Sequence, residues 1–390
     1  MNQSRWPVHP HPLDEESLLS WLTRVASCYD FTIDDLLKYE LGFHGDSSVL
    51  NVSVPAELLR SLSNRTGISE QKIRALTLAS WEPLLFNDIT EKESDFESYV
   101  HHYSLLLPLS NRKKYLPKQP WKPWFPKSLV ASKACPECIK NKPVGAMSLA
   151  WCLPIMLSCP IHQCVLRECY SYQGRHMYWP KESKLIIPFS HAINTMDQRT
   201  WSALTTGKVA LPRRTIHGGV WLRLLRTLLD ELHISIPSTK PLHANIVNIW
   251  NSLGLIPRDG QARWQPYEEL PPETQQLTLM AAAMAIEQIE NGTIAPPGEQ
   301  IYLFSPESVS SSDLPSYLQR TRVAAIIKPS LLWQRALDSL TEAIEIAKND
   351  PAEAKQLRNC ILLGRCDFES VQKVDNLLIE AGIPKDFLVT

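Results

Sequence analysis

The clearest chemistry in this sequence sits in two short stretches, Cys135-Pro136-Glu137-Cys138 and Cys159-Pro160-Ile161-His162. Thiolate sulfur and neutral imidazole are donors that zinc favours, and two pairs with twenty residues between them can close a tetrahedral set around one ion. A proline directly after the first cysteine of each pair favours the tight turn that aims both donors at one point. Four protein donors leave no position for water or substrate, so an ion held by Cys135, Cys138, Cys159 and His162 scaffolds and does not catalyse. The competing reading is four unrelated core residues, because free cysteine is often buried. Two such pairs at this spacing rarely coincide by chance, which favours zinc. Cys164 and Cys169 follow closely, and either is an alternative to His162 as fourth ligand. Neither completes a further pair, since Tyr172 stands where Cys169 would need its partner.

The elements that must position these donors are short. Between the pairs, Leu149, Trp151, Leu153, Ile155 and Leu157 fall on alternate positions, the period of a strand, so a small β-element is expected to back the site. Short strands or irregular chain are expected over Val165, Leu166 and 177–189. Upstream, the alternate prolines of Arg5-Trp6-Pro7-Val8-His9-Pro10-His11-Pro12 hold the chain extended, and His9 and His11 lack the further donors a metal would need. A helix is expected from Asp14–Ser17 onward, with Leu18, Trp21, Leu22, Val25 and Tyr29 on one face. Thr32-Ile33-Asp34-Asp35 reads as the capped start of a second helix that carries Leu36, Leu37 and Leu41 and stops at Gly42. A third, from Pro55 to about Arg65, meets Thr66-Gly67-Ile68-Ser69 and then a fourth from Glu70. That is the outline of a helix-turn-helix, although packing hairpins share it.

The rest of the chain is expected to be helical over 220–229, 243–253, 275–289, 329–348, 353–363 and 369–381. In the last of these Val371, Val374, Leu377 and Leu378 form an apolar side. The expected fold is therefore mainly α, in three parts: an N-terminal helical domain with a helix-turn-helix-like hairpin over 1–110, a basic linker and zinc-finger module with short β-strands over 111–215, and a C-terminal helical domain over 216–390. The 390 residues suit two or three such domains. Nine cysteines, an odd number, fit a reducing compartment better than a disulfide framework. The polar start does not read as a signal peptide, and Met147–Cys159 is too short to cross a bilayer, so a cytoplasmic protein without a membrane partner is expected.

The net charge of −1 hides a strong division. Residues 101–227 hold 19 Lys+Arg against 4 Asp+Glu, whereas 1–100 hold 8 against 16 and 228–390 hold 13 against 21. A basic block of that size attracts polyanions where it is exposed. Within it, Asn111 to Lys127 interleaves Lys113, Lys114, Lys118, Lys122 and Lys127 with prolines and the rings of Tyr115, Trp121, Trp124 and Phe125. Such a strand can lay ammonium groups along phosphates, or serve as a stiff linker that anchors the zinc module. With Arg213 and Arg214, these five lysines are the candidate nucleic-acid contacts. No phosphate-cradling Gly-x-x-x-x-Gly-Lys loop, His-Glu-x-x-His or Gly-x-Ser-x-Gly occurs, so an enzyme is not expected.

Two parts of the chain carry a family resemblance. Arg5-Trp6-Pro7 and then Pro12-Leu13-Asp14-Glu15-Glu16-Ser17-Leu18-Leu19-Ser20-Trp21-Leu22-Thr23-Arg24-Val25-Ala26 resemble the start of TniQ-family proteins, where an extended segment runs into a helix of pattern E-S-L-x-S-W-L-x-R-x-A. Cys135-Pro136-Glu137-Cys138, Trp151, and Cys159-Pro160-Ile161-His162 followed by Leu166 resemble the zinc motif of the same family, in the same order. Relatives often carry a further set of cysteine pairs. Here only Cys169 remains of it, so the resemblance implies one structural zinc ion and not two.

The resemblance also implies a role. TniQ proteins are target-selection adaptors of bacterial transposons: they mark a DNA site and recruit a TnsC-like AAA+ ATPase regulator, which brings the transposase. In CRISPR-associated transposons they ride on an RNA-guided Cascade-type complex with its guide RNA, in some cases as a homodimer. TnsD-type members instead bind a chromosomal attachment site directly, which is the alternative for this chain.

Overall fold

A computed structural model of the chain describes residues 5–82, 84–85, 103–108, 122–125, 131–143, 145–172, 176–180, 188–212, 214–234, 243–255, 265–304, 340–362 and 368–388. The described residues are mainly helical, with a few strands of two or three residues paired as antiparallel ribbons. By its contacts the chain divides into two units. One comprises Met1–Glu82, Trp124–Asp197 and Pro271–Gln276, and the other Pro83–Pro123, Gln198–Leu270 and Leu277–Thr390.

The first unit is built on helix α1, Leu18–Ser27, whose start is capped by the Ser17 hydroxyl accepting from Ser20 N. Its apolar face packs Leu18, Trp21, Leu22, Val25 and Ala26 into a core with Leu36, Leu37, Leu58, Leu59, Leu62 and Ile73. α2, Ile33–Asp35, is capped by Thr32 and widens into a π-turn over Leu36–Glu40. α3, Ala56–Thr66, ends at Gly67, whose φ of 73° is the left-handed conformation that closes a helix at little cost only with glycine. Ser69 then caps α4, Glu70–Arg74. This reproduces the helix–glycine–helix outline, but α4 has only five residues, about a turn and a half.

The polar residues of the N-terminal signature each have a partner. Arg24 and Glu16, 7% and 1% exposed, form a two-pronged ion pair with Nε–Oε1 at 2.8 Å and Nη2–Oε2 at 2.6 Å. Arg24 Nη2 also donates to His11 O, and Trp21 Nε1 to Pro10 O at 2.7 Å, so the extended lead-in is fastened along the helix. Ser20 Oγ donates to Gly145 O and accepts from Met147 N at 2.8 Å. Ser17 N donates to Met147 O, and Leu149 N to Glu15 O. The signature therefore fastens α1 to the segment between the two cysteine pairs.

That segment is not a strand. Leu149–Cys152 forms a 3-10 turn, and from Ala146 to Cys159 every residue but Pro154 is buried. With both sides covered, apolar side chains on alternate positions no longer mark a half-buried strand.

In the second unit helix α7, Gly218–Leu232, is buried along its whole length, charged residues included. Arg226 grips Glu268 with Nε–Oε1 at 2.9 Å and Nη2–Oε2 at 3.2 Å, and Glu231 accepts from Leu105 N and Leu106 N. Nearer the C-terminus, helices over 340–347, Pro351–Leu362, Phe368–Glu380 and Lys385–Leu388 close on Ala343, Ala347, Ala354, Leu357, Leu378, Ile383 and Leu388. Leu378 is inside that cluster, whereas Leu377 is 61% exposed and leaves the apolar side expected for it.

Removing one partner of a buried ion pair strands the other charge, which typically costs about 3–5 kcal/mol. Arg24→Ala is expected to destabilise the first unit by about that amount, measured by urea unfolding. A double change of Arg24 and Glu16 to apolar residues of similar volume should recover most of the loss.

Candidate metal centre

The two donor pairs sit on matching turns. Cys135 caps helix α5, Pro136–Asn141, whose first residue is the proline that the first turn of a helix tolerates. Cys138 N donates to Cys135 Sγ at 3.3 Å. In the second turn His162 N donates to Cys159 Sγ at 3.5 Å, and Gln163, with φ 50°, bonds back to Cys159 O. The sulfurs thus already accept backbone hydrogen bonds, which orient them and favour thiolate. Short ribbons frame the turns: β1, Lys133–Ala134, pairs with β4, Arg167–Glu168, and β2, Ser158–Cys159, pairs with β3, Cys164–Val165.

The donor atoms of Cys135, Cys138, Cys159 and His162 all lie within 4.8 Å of one another, and this is the one such group of three or more among the described residues. Cys138 Sγ and Cys159 Sγ are 3.7 Å apart. His162 Nδ1 lies 3.5 Å from Cys135 Sγ, 3.2 Å from Cys138 Sγ and 3.7 Å from Cys159 Sγ. A tetrahedron with metal–sulfur bonds of about 2.3 Å and a metal–nitrogen bond of about 2.0–2.1 Å has edges of about 3.8 Å between sulfurs and about 3.6 Å from sulfur to nitrogen. The observed edges match that figure, so the cluster can hold one metal ion, and its donor types suit zinc.

Cys164 Sγ comes within 3.5 Å of Cys135 Sγ. His162 reaches three of the sulfurs and is the donor the geometry brings in. Cys169 lies in the buried segment after β4, its N–H bonded to Ser132 O, and burial pushes its thiol up to about 12. Donation from the Cys138 and Cys159 thiols holds the Cys135 thiol far below its ordinary value, while sharing with Cys135 drives Cys138 the other way. A cluster that concentrates negative charge in this manner is one that a divalent cation neutralises.

Of the candidate nucleic-acid contacts, Lys122 and Arg214 are described and half-buried, Arg214 in the turn between β7, Lys208–Ala210, and β8, Thr215–His217. Lys113, Lys114, Lys118, Lys127 and Arg213 lie outside the described residues. Part of the basic block is consumed internally: Arg199 pairs with Glu290 at 2.7 Å, Arg226 with Glu268, and Lys133 Nζ donates to Met156 O at 2.6 Å. Its charge as a surface is smaller than its charge as a sequence.

The structure adds residues that periodicity did not single out. β5, Tyr170–Tyr172, pairs with β6, His176–Tyr178, and sets Tyr170 directly opposite Tyr178, both 59% exposed. Arg167 stands over the Trp179 ring, 5.8 Å from its centre. The signal was the pair of tyrosines at alternate positions, 170 and 172. No described helix is long and apolar enough to cross a membrane.

A helical N-terminal domain fastened to a closed Cys3His centre defines a scaffolded binding protein. Residues 7–166 match the TniQ family model, a span that takes in both the N-terminal signature and all four donors, and the chain belongs to the TniQ family. Membership implies a role in target selection during transposition. Comparison with curated proteins and with solved structures gave no significant match.

Cys135→Ser and Cys159→Ser are each expected to remove one zinc ion per chain, read by metal analysis, and to unfold the central module, because binding of a structural zinc is coupled to folding. His162→Ala should do the same, by more than the about 10–100-fold that loss of a group behind a ligand costs. Cys164→Ala should retain the metal. The reverse pattern would make Cys164 the fourth ligand.

Proposed function

We infer that this protein is a non-catalytic transposition adaptor that associates with an RNA-guided Cascade-type complex at the target DNA and recruits a TnsC-like AAA+ regulator, and through it the transposase. The observation that carries the reading is the family match over residues 7–166, coincident with a donor set closed to substrate. One zinc ion, held by Cys135, Cys138, Cys159 and His162, fixes the geometry of the central module. It supplies cross-linking and not chemistry, since all four positions are taken.

The chain's own residues supply contact surfaces. Lys113, Lys114, Lys118, Lys122, Lys127, Arg213 and Arg214 are assigned to phosphates of RNA or DNA, and a homodimer is compatible with the role. The alternative, direct binding of a chromosomal attachment site in the TnsD manner, draws on the α3–Gly67–α4 outline, where Lys72 and Arg74 are exposed. The brevity of α4 and the burial of Ile73 favour packing over base reading.

Co-expression with a Cascade-type complex and the AAA+ regulator, followed by affinity capture of this chain, is expected to retain both. Tight, site-specific DNA binding by the chain alone with a steep salt slope would sink the adaptor reading in favour of the direct one. Charge reversal at Lys113, Lys114, Lys118 and Lys122 together should weaken association at every sequence tested and flatten the salt dependence by about one unit of slope per lost phosphate contact. Unchanged binding would leave that stretch as a linker.

A further inference from the structure

Helix α6, His191–Thr206, lies beyond the residues matched to the family and carries no donor of the cluster. Its Asp197 is fully buried and places one carboxylate oxygen against the chain just before Cys159. Oδ2 accepts from Leu157 N at 3.0 Å, Ser158 N at 2.6 Å and Ser158 Oγ at 2.7 Å. One residue earlier, Met156 O accepts from Lys133 Nζ at 2.6 Å, and Lys133 stands on β1, two positions before Cys135. Lys133 and Asp197 also attract each other electrostatically. Three consecutive residues, Met156 to Ser158, are therefore held from two sides, by the strand that delivers the first donor pair and by a helix from outside the motif.

We propose that Asp197 is a positioning residue for the metal centre, fixing the backbone of Leu157 and Ser158 so that Cys159 meets the donors of the first turn. The physical need is plain. β2 is only two residues long and its pairing with β3 is a two-residue ribbon, too little to fix a strand by itself. A buried carboxylate that accepts three hydrogen bonds on one oxygen fixes two successive peptide N–H groups at once, and those groups have no other acceptor in the ribbon register. Outer residues of this kind orient metal ligands. Oδ1 has no hydrogen-bond partner, so asparagine can place its amide oxygen on the same three donors and keep the brace.

This proposal rests on the reading of Cys135, Cys138, Cys159 and His162 as a zinc site, and the test separates the two. The full-length chain is loaded with zinc and its affinity read by competition with a chromophoric chelator, for wild type, Asp197→Ala, Asp197→Asn and Glu268→Ala. Glu268→Ala strands Arg226 far along the sequence from the cluster and controls for lost stability. Cobalt substitution gives a second readout, the tetrahedral absorption band. Asp197→Ala is expected to weaken zinc binding by about 10–100-fold and to shift the cobalt band, with Asp197→Asn recovering most of the loss and Glu268→Ala leaving affinity unchanged. Wild-type zinc affinity in Asp197→Ala, or the same change in Glu268→Ala, overturns the proposal. A wild-type chain that binds no zinc overturns the metal reading itself, and the proposal with it.

Discussion

The buried pair of Glu16 and Arg24 is the contact on which the first unit depends. Two opposite charges out of water are tolerated only when geometry and further hydrogen bonds complete them. Here the carboxylate also receives Leu13 N and Ser20 Oγ, and the guanidinium reaches His11 O. The pair thereby sets where the lead-in lies against α1 and which way Ser20 points. Ser20 in turn holds Gly145 and Met147 at the start of the segment between the donor pairs. Helix, lead-in and inter-knuckle segment share one polar network, so the N-terminal signature and the donor motif, far apart in sequence, are parts of a single construction.

A metal suits such a construction. The segment between the donor pairs has little regular structure of its own, and short ribbons are weak in isolation. Its order comes from burial on both sides, from α1 and from the closure of four donors. An ion with a full protein shell adds a cross-link of fixed geometry where hydrogen-bonded ladders are too short to do so.

What could be read from the sequence followed local rules. The four donors, the caps at Ser17 and Thr32, the stop at Gly67 and the helices over 220–229 and 275–289 rest on spacing or on a residue's own conformational preference, and they are present in the structure. What escaped depends on distant neighbours. Leu149 to Leu157 imitates a strand because the chain is covered on both faces. α6 escaped because its buried side includes Asn194, Asp197 and Thr200, polar residues that break the apolar period. The basic block overstates the surface charge because Arg199 and Arg226 find carboxylates ninety-one and forty-two residues onward. Asp197 carries no local mark at all; only the fold brings it to Ser158.

For a target-selection protein of the TniQ family, the consequence is a division of labour: a rigid, metal-closed first unit that presents surfaces, and partners that supply the chemistry. The most direct test of that account is zinc K-edge X-ray absorption on the purified full-length chain. A closed centre predicts three sulfurs at about 2.3 Å and one nitrogen at about 2.0–2.1 Å. A shell containing a bound water oxygen, or lacking sulfur, would contradict it.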